Sequence, residues 1–186
     1  HATDCINKLH KLNKKIILIS NSSKSNLITI NKLKKLGLNI KIFTKIITSG
    51  EVVFEELRKP TYEWSKNLGN KYYHLSNLLK KNKNNFLKEF DKELVDNINS
   101  ADFIIASSAN PEISVLDYVP FLKKAYEKEL PFICLNPDYE SVEKNKFNRK
   151  SICMGSVGRL YEDFGGKVHI LGKPSKYIYE KATESL

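Results

Sequence analysis

The ten residues 16–25, IILISNSSKS, constrain the fold more than any other stretch. Four contiguous and mostly β-branched apolar residues stop abruptly in small hydroxyl and amide side chains. Such a run predicts a parallel strand covered on both faces. Ser20 is then the first residue able to reach a ligand at the carboxyl end of the strand. Asn21, Ser22, Ser23 and Ser25 favour turns and helix caps, and an apolar-periodic segment follows from Leu27. A strand, a loop of donors and a helix amino terminus together form an anion site, because unpaired N–H groups and the helix dipole converge there. Many α/β proteins have polar strand ends without a ligand, so the loop alone leaves both readings open.

Composition narrows the rest. The 186 residues, 41% hydrophobic, suit one large domain or a domain with an insertion. No apolar run has the length of a membrane span, and the first residues, HATDCINKLHKL, lack the apolar centre of a signal peptide. Cys5, Cys134 and Cys153 are far apart and in no CxxC pair, which points to a reducing, cytoplasmic setting. The net charge of +10 raises nucleic acid as a partner, but the excess is mostly Lys, in pairs spread along the chain. A binding stripe would gather charge on one face with Arg and stacking aromatics, so no specific nucleic-acid partner is expected, and no membrane.

Taken in order, residues 3–13 carry Ile6, Leu9 and Leu12 on one helical face and lead into the first strand. Leu27, Ile30, Leu33 and Leu36 predict a second helix that Gly37 ends. Residues 46–48 read as a parallel strand beside the first, and residues 51–59 as a helix that Pro60 interrupts. Helix is expected to resume over 62–68, with a strand at 72–75 and a Lys/Asn-rich loop at 79–85. Phe86, Phe90, Leu94 and Ile98 suggest an amphipathic helix. Strands at 102–106 and 131–135 flank a helix over 116–128, with Val119, Leu122 and Tyr126 inward. This second βαβ module could form its own small sheet. Residues 143–150 read as polar surface, 156–164 as helix, 168–171 as strand, and helix is expected from Pro174 to the end, Pro being favoured at a first helical position.

Three polar strand ends concentrate the chemistry: Ser20-Asn21, residues 136–138, and Gly172-Lys173-Pro174. A Lys between a flexible Gly and a rigid Pro at a strand mouth can aim one positive charge at a phosphate. Equally, Lys173 could be one surface lysine of many. His1, His10, His74 and His169 show no metal-ligand spacing, and no His is nominated as a partner for a Cys nucleophile. Asp4 lies on the first helix and reads as solvated. Trp64, Tyr72 and Tyr73 could line a cleft, but core packing is the commoner role of large aromatics.

In order, ISNSSKS, LKKLGL, IITSGE, LNPD and LYEDFGGKVHILGKPSKYIYEKA resemble the haloacid dehalogenase-like (HAD) phosphatases with a class IIA cap, the p-nitrophenyl phosphatase-like and pyridoxal phosphatase-like group. The resemblance covers almost the whole chain. It implies an α/β fold, a Rossmann-like HAD core, incomplete in this chain, with an inserted α/β cap. Residues 1–49 and 168–186 would be parts of the core and residues 50–167 the cap. By resemblance, Ser20 falls on the family's second motif, whose hydroxyl binds the phosphoryl group, and Asn21 and Ser22 adjoin it as phosphate-binding donors. Lys173 falls on the third motif, where a Lys balances charge between a nucleophilic Asp and the phosphate. Asn136 and Asp138 match the cap's NPD sequence, near the segment facing substrate.

The implied activity is a magnesium-dependent phosphomonoester hydrolase acting on a small phosphorylated metabolite through an aspartyl-phosphate, with a cap able to form homodimer contacts. The departure from the family lies at the centre of this mechanism. The DxD-like motif holding the nucleophile and the acidic loop binding Mg2+ have no counterpart in these 186 residues, so both are expected outside them. A catalytically inactive relative that binds a phosphorylated ligand or a protein partner through the same loop is the alternative.

Overall fold

The computed structural model describes residues 2–76, 91–144 and 150–184. The elements run α1 (Ala2–Lys11), β1 (Ile17–Ser20), α2 (Asn26–Lys35), β2 (Lys45–Thr48), α3 (Ser49–Arg58), α4 (Glu63–Lys66), β3 (Lys71–Leu75), β4 (Glu93–Val95) and β5 (Phe103–Ala106). They continue with α5 (Val119–Glu127), β6 (Phe132–Cys134), β7 (Glu140–Lys144), β8 (Lys150–Ile152), α6 (Met154–Asp163), β9 (Val168–Ile170) and α7 (Lys176–Thr183). Together they form a mixed α/β fold built on parallel strands.

The main sheet has five strands in the order β4-β3-β5-β6-β9, all parallel. Its core follows the period of two that a pleated strand imposes. Phe103 and Ile105 face one side, where they join Val52, Phe54 and Leu57 of α3 and Ile178 of α7. Ile104 and Ala106 face the other, against Leu122 of α5 and Val157 and Tyr161 of α6. Both faces of β5 are therefore covered, and full burial of a side chain such as Phe103 contributes about 1.5–3 kcal/mol.

A second, two-stranded sheet pairs β1 with β2 in parallel, Ile17 opposite Lys45 and Ser20 opposite Thr48. The expected pairing of these strands is thus observed. Residues 17–20, expected to be covered on both faces, are only half-buried, since β1 pairs with β2 alone among the described strands. Helix α7 packs against β1, β2 and α3, so the chain's last helix returns to its first two strands.

Several expectations change. The helix read over 86–98 is not found in its described part: residues 93–95 are strand β4, paired with the edge of β3, and residues 98–100 form a 3-10 turn. The four-residue spacing of Leu94 and Ile98 mimics a helix, but the unpaired edge of β3 offers Leu94 and its neighbours ladder hydrogen bonds. Phe86, Phe90 and the 79–85 loop lie outside the described residues. The module spanning 102–138 does not build a separate sheet; β5 and β6 are the middle of the five-stranded one.

Residues 115–118 form a 3-10 turn ahead of α5, which shifts the buried set to Tyr118, Leu122 and Ala125 and leaves Tyr126 exposed. The polar stretch around 143–150 contributes to an antiparallel hairpin, β7 with β8. Finally, α7 starts at Lys176, after Ser175, rather than with Pro174 at a first helical position.

Candidate functional site

The site lies where the carboxyl ends of β1, β6 and β9 meet. Strand β1 ends at Ser20, and the loop beyond it is organised by its own hydroxyls. The Ser22 amide donates to Ser20 Oγ at 3.2 Å, and the Lys24 amide donates to Ser22 Oγ at 3.3 Å. Ser25 Oγ caps α2 by accepting from the Ile28 amide.

The loop is also stitched to the end of β2. Thr48 Oγ1 donates to Lys24 O at 2.7 Å, the Thr48 amide to Asn26 Oδ1 at 2.9 Å, and the Gly50 amide to Ser22 O at 2.9 Å. Glycine is required at position 50, because a Cβ there would lie 2.3 Å from the Ser23 carbonyl oxygen.

Asn21 is the junction. It is 9% exposed, and its carboxamide makes three hydrogen bonds to distant parts of the chain. Nδ2 donates to Asp138 Oδ1 at 2.8 Å and to the Lys173 carbonyl at 3.1 Å, while the Lys173 amide donates to Oδ1 at 2.7 Å. Ser20, Asn21, Asp138 and Lys173 are therefore gathered in one place. The Asn21 side chain is engaged by protein, so any donation to a phosphate from that side chain would require breaking this junction.

Asp138 sits on the loop after β6. Its amide donates to Asn136 Oδ1 at 3.1 Å, an Asx turn, and its carbonyl accepts from the Gly155 amide at the start of α6 at 3.1 Å. Two thiols hold Asn136 from below: Cys134 Sγ donates to its carbonyl at 3.3 Å, and Cys153 hydrogen-bonds its side chain. Burial pushes the Cys134 thiol up to about 12 and also raises that of Cys153, so both stay protonated, and Cys134 acts as a donor.

Lys173 is half-buried beyond β9, and its peptide bond to Pro174 is cis. The role of Gly172 differs from the flexibility expected of it. A Cβ at 172 would stand 2.6 Å from Ser49 Oγ and 2.8 Å from Asn21 Oδ1, so the absence of a side chain is what lets this strand end approach the loop. Ser49 itself was not among the expected site residues. It is fully buried at the start of α3, and its hydroxyl has no hydrogen-bond partner among the described residues. The signal for it was the small polar run Thr48-Ser49-Gly50, which mirrors the end of the first strand.

Trp64, Tyr72 and Tyr73 divide. Tyr72 is buried and Tyr73 packs against the opposite core, whereas Trp64 stacks on His169 at 4.3 Å in a cleft of about 510 Å3 also lined by Tyr62, Lys167 and Tyr177. That cleft opens beside Pro131 and Lys167, at the amino ends of β6 and β9, the opposite end from Lys173. Burial, helped by the nearby Lys167 charge, pushes His169 down to about 4. His74, half-buried and 2.7 Å from Ser107 Oγ, is likewise pushed down to about 4 by desolvation. Among the described residues no group of three or more His, Cys, Asp or Glu side chains could hold a metal ion. None of the helices there is long and apolar enough to cross a membrane.

No protein-family model matches the sequence, and no curated protein matches it. Solved structures do. A haloacid dehalogenase-like family hydrolase from Brucella suis 1330 is similar over 97% of this chain and 62% of its own, with a TM-score of 0.80 and 24% identity. A thermostable NPPase double mutant from Geobacillus stearothermophilus matches over 99% of this chain and 68% of its own, at a TM-score of 0.68 and 19% identity. NagD from E. coli K-12 matches over 99% and 66%, at 0.62 and 19%. The chain thus spans about two thirds of the length of these proteins, and its fold is that of the HAD-like hydrolases, with p-nitrophenylphosphatase-type and NagD structures among its neighbours.

Proposed function

We propose that this chain carries the phosphate clamp and cap of a phosphomonoester hydrolase of the HAD-like type, acting on a small phosphorylated metabolite. The observation that carries the reading is the convergence on Asn21: the Ser20 loop, Asp138 and Lys173 meet at strand carboxyl ends, where open α/β sheets bind ligands. In this reading residues 1–49 and 168–186 belong to the core and residues 50–167 to the cap. Strand β9 then bridges the two, hydrogen-bonded to β6 while α7 packs on β1 and β2.

Ser20 Oγ and the neighbouring loop donors hold the phosphoryl group. The Lys173 ammonium offsets the charge that builds between the phosphate and an attacking carboxylate, and a preorganised cation does this without reorganisation at the moment of reaction. The nucleophilic Asp and the Mg2+ ligands belong to segments outside these 186 residues. The described residues include no group of three or more His, Cys, Asp or Glu side chains that could hold a metal ion. Closure of the cap would exclude water, in a soluble cytoplasmic enzyme.

The test is phosphate release from p-nitrophenyl phosphate by the full-length protein and by its Lys173→Ala variant. Release that falls by roughly 100-fold or more in the variant, with the fold intact, supports the clamp. An equal rate removes Lys173 from the mechanism, and no release by the natural protein favours a non-catalytic binder of phosphorylated ligands.

A further inference from the structure

Asparagine presents a donor and an acceptor at opposite ends of one planar group, and its orientation must be fixed by its surroundings. At Asn21 the Lys173 backbone and the Asp138 side chain fix it together. In the observed orientation Oδ1 receives the Lys173 amide at 2.7 Å, while Nδ2 points at Asp138 Oδ1 and the Lys173 carbonyl. Turned over, Nδ2 would face the Lys173 N–H, and Oδ1 would face a carboxylate and a carbonyl. The Asp138 Oδ1 acceptor lies on the Nδ2 side, so Asp138 reinforces the orientation that the Lys173 N–H and carbonyl favour.

We propose that Asp138 is a positioning residue: its carboxylate pins the Asn21 carboxamide, which in turn holds the Lys173 backbone at the end of β1. This inference rests on the phosphate-clamp reading and gives Asp138, expected near the segment facing substrate, a part in ordering the clamp. A carboxylate in contact with a phosphate would repel it, whereas here the carboxylate is directed at an amide N–H. Asp138 is itself well seated. Its loop lies on the first turn of α6, where a Cβ at Gly155 would come within 2.1 Å of the Pro137 carbonyl oxygen. Asn21 is buried, so water is poorly placed to replace a lost partner.

The test uses the full-length protein with p-nitrophenyl phosphate and a sugar phosphate as substrates, and Asp138→Ala, Asp138→Asn, Asn21→Asp and the double variant Asn21→Asp/Asp138→Asn. Asp138→Ala should lower kcat/KM by the same factor for both substrates, roughly tenfold or more, because the clamp and not the leaving group is disturbed. Asp138→Asn still accepts through its own Oδ1 and should recover a large part. Asn21→Asp sets two carboxylates against each other and should lose activity, and the double variant, with donor and acceptor exchanged, should recover some of it.

In parallel, two-dimensional 15N NMR follows the Asn21 side-chain NH2 and the Lys173 amide. Both should shift in Asp138→Ala and stay near their original positions in Asp138→Asn. A loss that depends on the leaving group, a double variant no better than Asn21→Asp, or unmoved signals in Asp138→Ala would each overturn the pin. If the natural protein releases no phosphate, the proposed function fails, and the amide signals still decide whether Asp138 holds the junction.

Discussion

Replacing Glu56 should expose how the break between α3 and α4 is held. The carboxylate is buried near the end of α3 and accepts from the Thr61 amide at 2.7 Å, Thr61 Oγ1 at 2.6 Å and the Tyr62 amide at 2.9 Å, with Ser65 Oγ as a further donor. It thus takes up the backbone donors that Pro60 and the new helix start leave without helical partners. Hydrogen bonds to a charged group contribute about 1.5–3 kcal/mol each, but Thr61 is exposed and can turn to water, so Glu56→Ala should cost about 3 kcal/mol in all. Glu56→Gln keeps the oxygen that receives three of the four donors and should cost about 1 kcal/mol.

With a urea slope of about 2 kcal/mol/M, those costs move the unfolding midpoint down by about 1.5 M and 0.5 M. The pH dependence has a defined sign. Burial acts to raise the Glu56 pKa, but the bonds from Ser65, Thr61 and Tyr62 outweigh it and hold the group below its ordinary 4.5. Its stabilisation is therefore complete above about pH 4.5 and is lost as pH falls through the lower folded value. Urea unfolding of the natural protein and both variants at pH 7, and of the natural protein and Glu56→Gln down to pH 3, measures this. Equal midpoints for natural protein and Glu56→Ala would refute the argument, as would Glu56→Gln being as damaging as Glu56→Ala.

Other expectations follow from the same geometry. Gly172→Ala should lower the unfolding midpoint and weaken phosphate release, since its Cβ would stand 2.6 Å from the buried Ser49 oxygen; unchanged values would mean the loop moves freely. His74 and His169 are both held near 4 against an ordinary 6.5, so unfolding takes up protons and stability should fall as pH drops from about 6.5 to 4. A His74→Asn variant should show a shallower fall over that window in urea titrations, and an identical slope would refute the assignment. Gly155→Ala should be more severe than Gly158→Ala in thermal unfolding, because the first meets backbone oxygen at 2.1 Å and the second only side-chain carbons at 3.4 Å or more.

What could be read from the sequence was what neighbouring residues decide. The β-branched runs at 17–20 and 103–106 are strands because such side chains pack well on a pleated surface, and Gly37 ends its helical segment at a positive φ. Ser20, Asn21 and Lys173 could be singled out because they stand at strand ends. The strand at Leu94 is not legible locally, because its partner, the edge of β3, is supplied by tertiary structure. The engagement of the Asn21 side chain was not legible either, since its partners lie 117 and 152 residues away. Ser49 is not legible as a site residue, because one hydroxyl in a turn resembles any other until its surroundings are known.

The Asn21 junction also sets an order of events in synthesis. Closing loops of 117 and 152 residues is entropically costly and slow compared with forming β1 or α2, which need only their neighbours. As the chain leaves the ribosome, the Ser20 loop emerges early and must wait for Asp138 and then for Lys173. A nascent chain halted just before Lys173 can hold most of the described strands and helices yet lacks the completed Asn21 junction, so any ligand affinity that depends on the junction should arise late and abruptly as the chain lengthens.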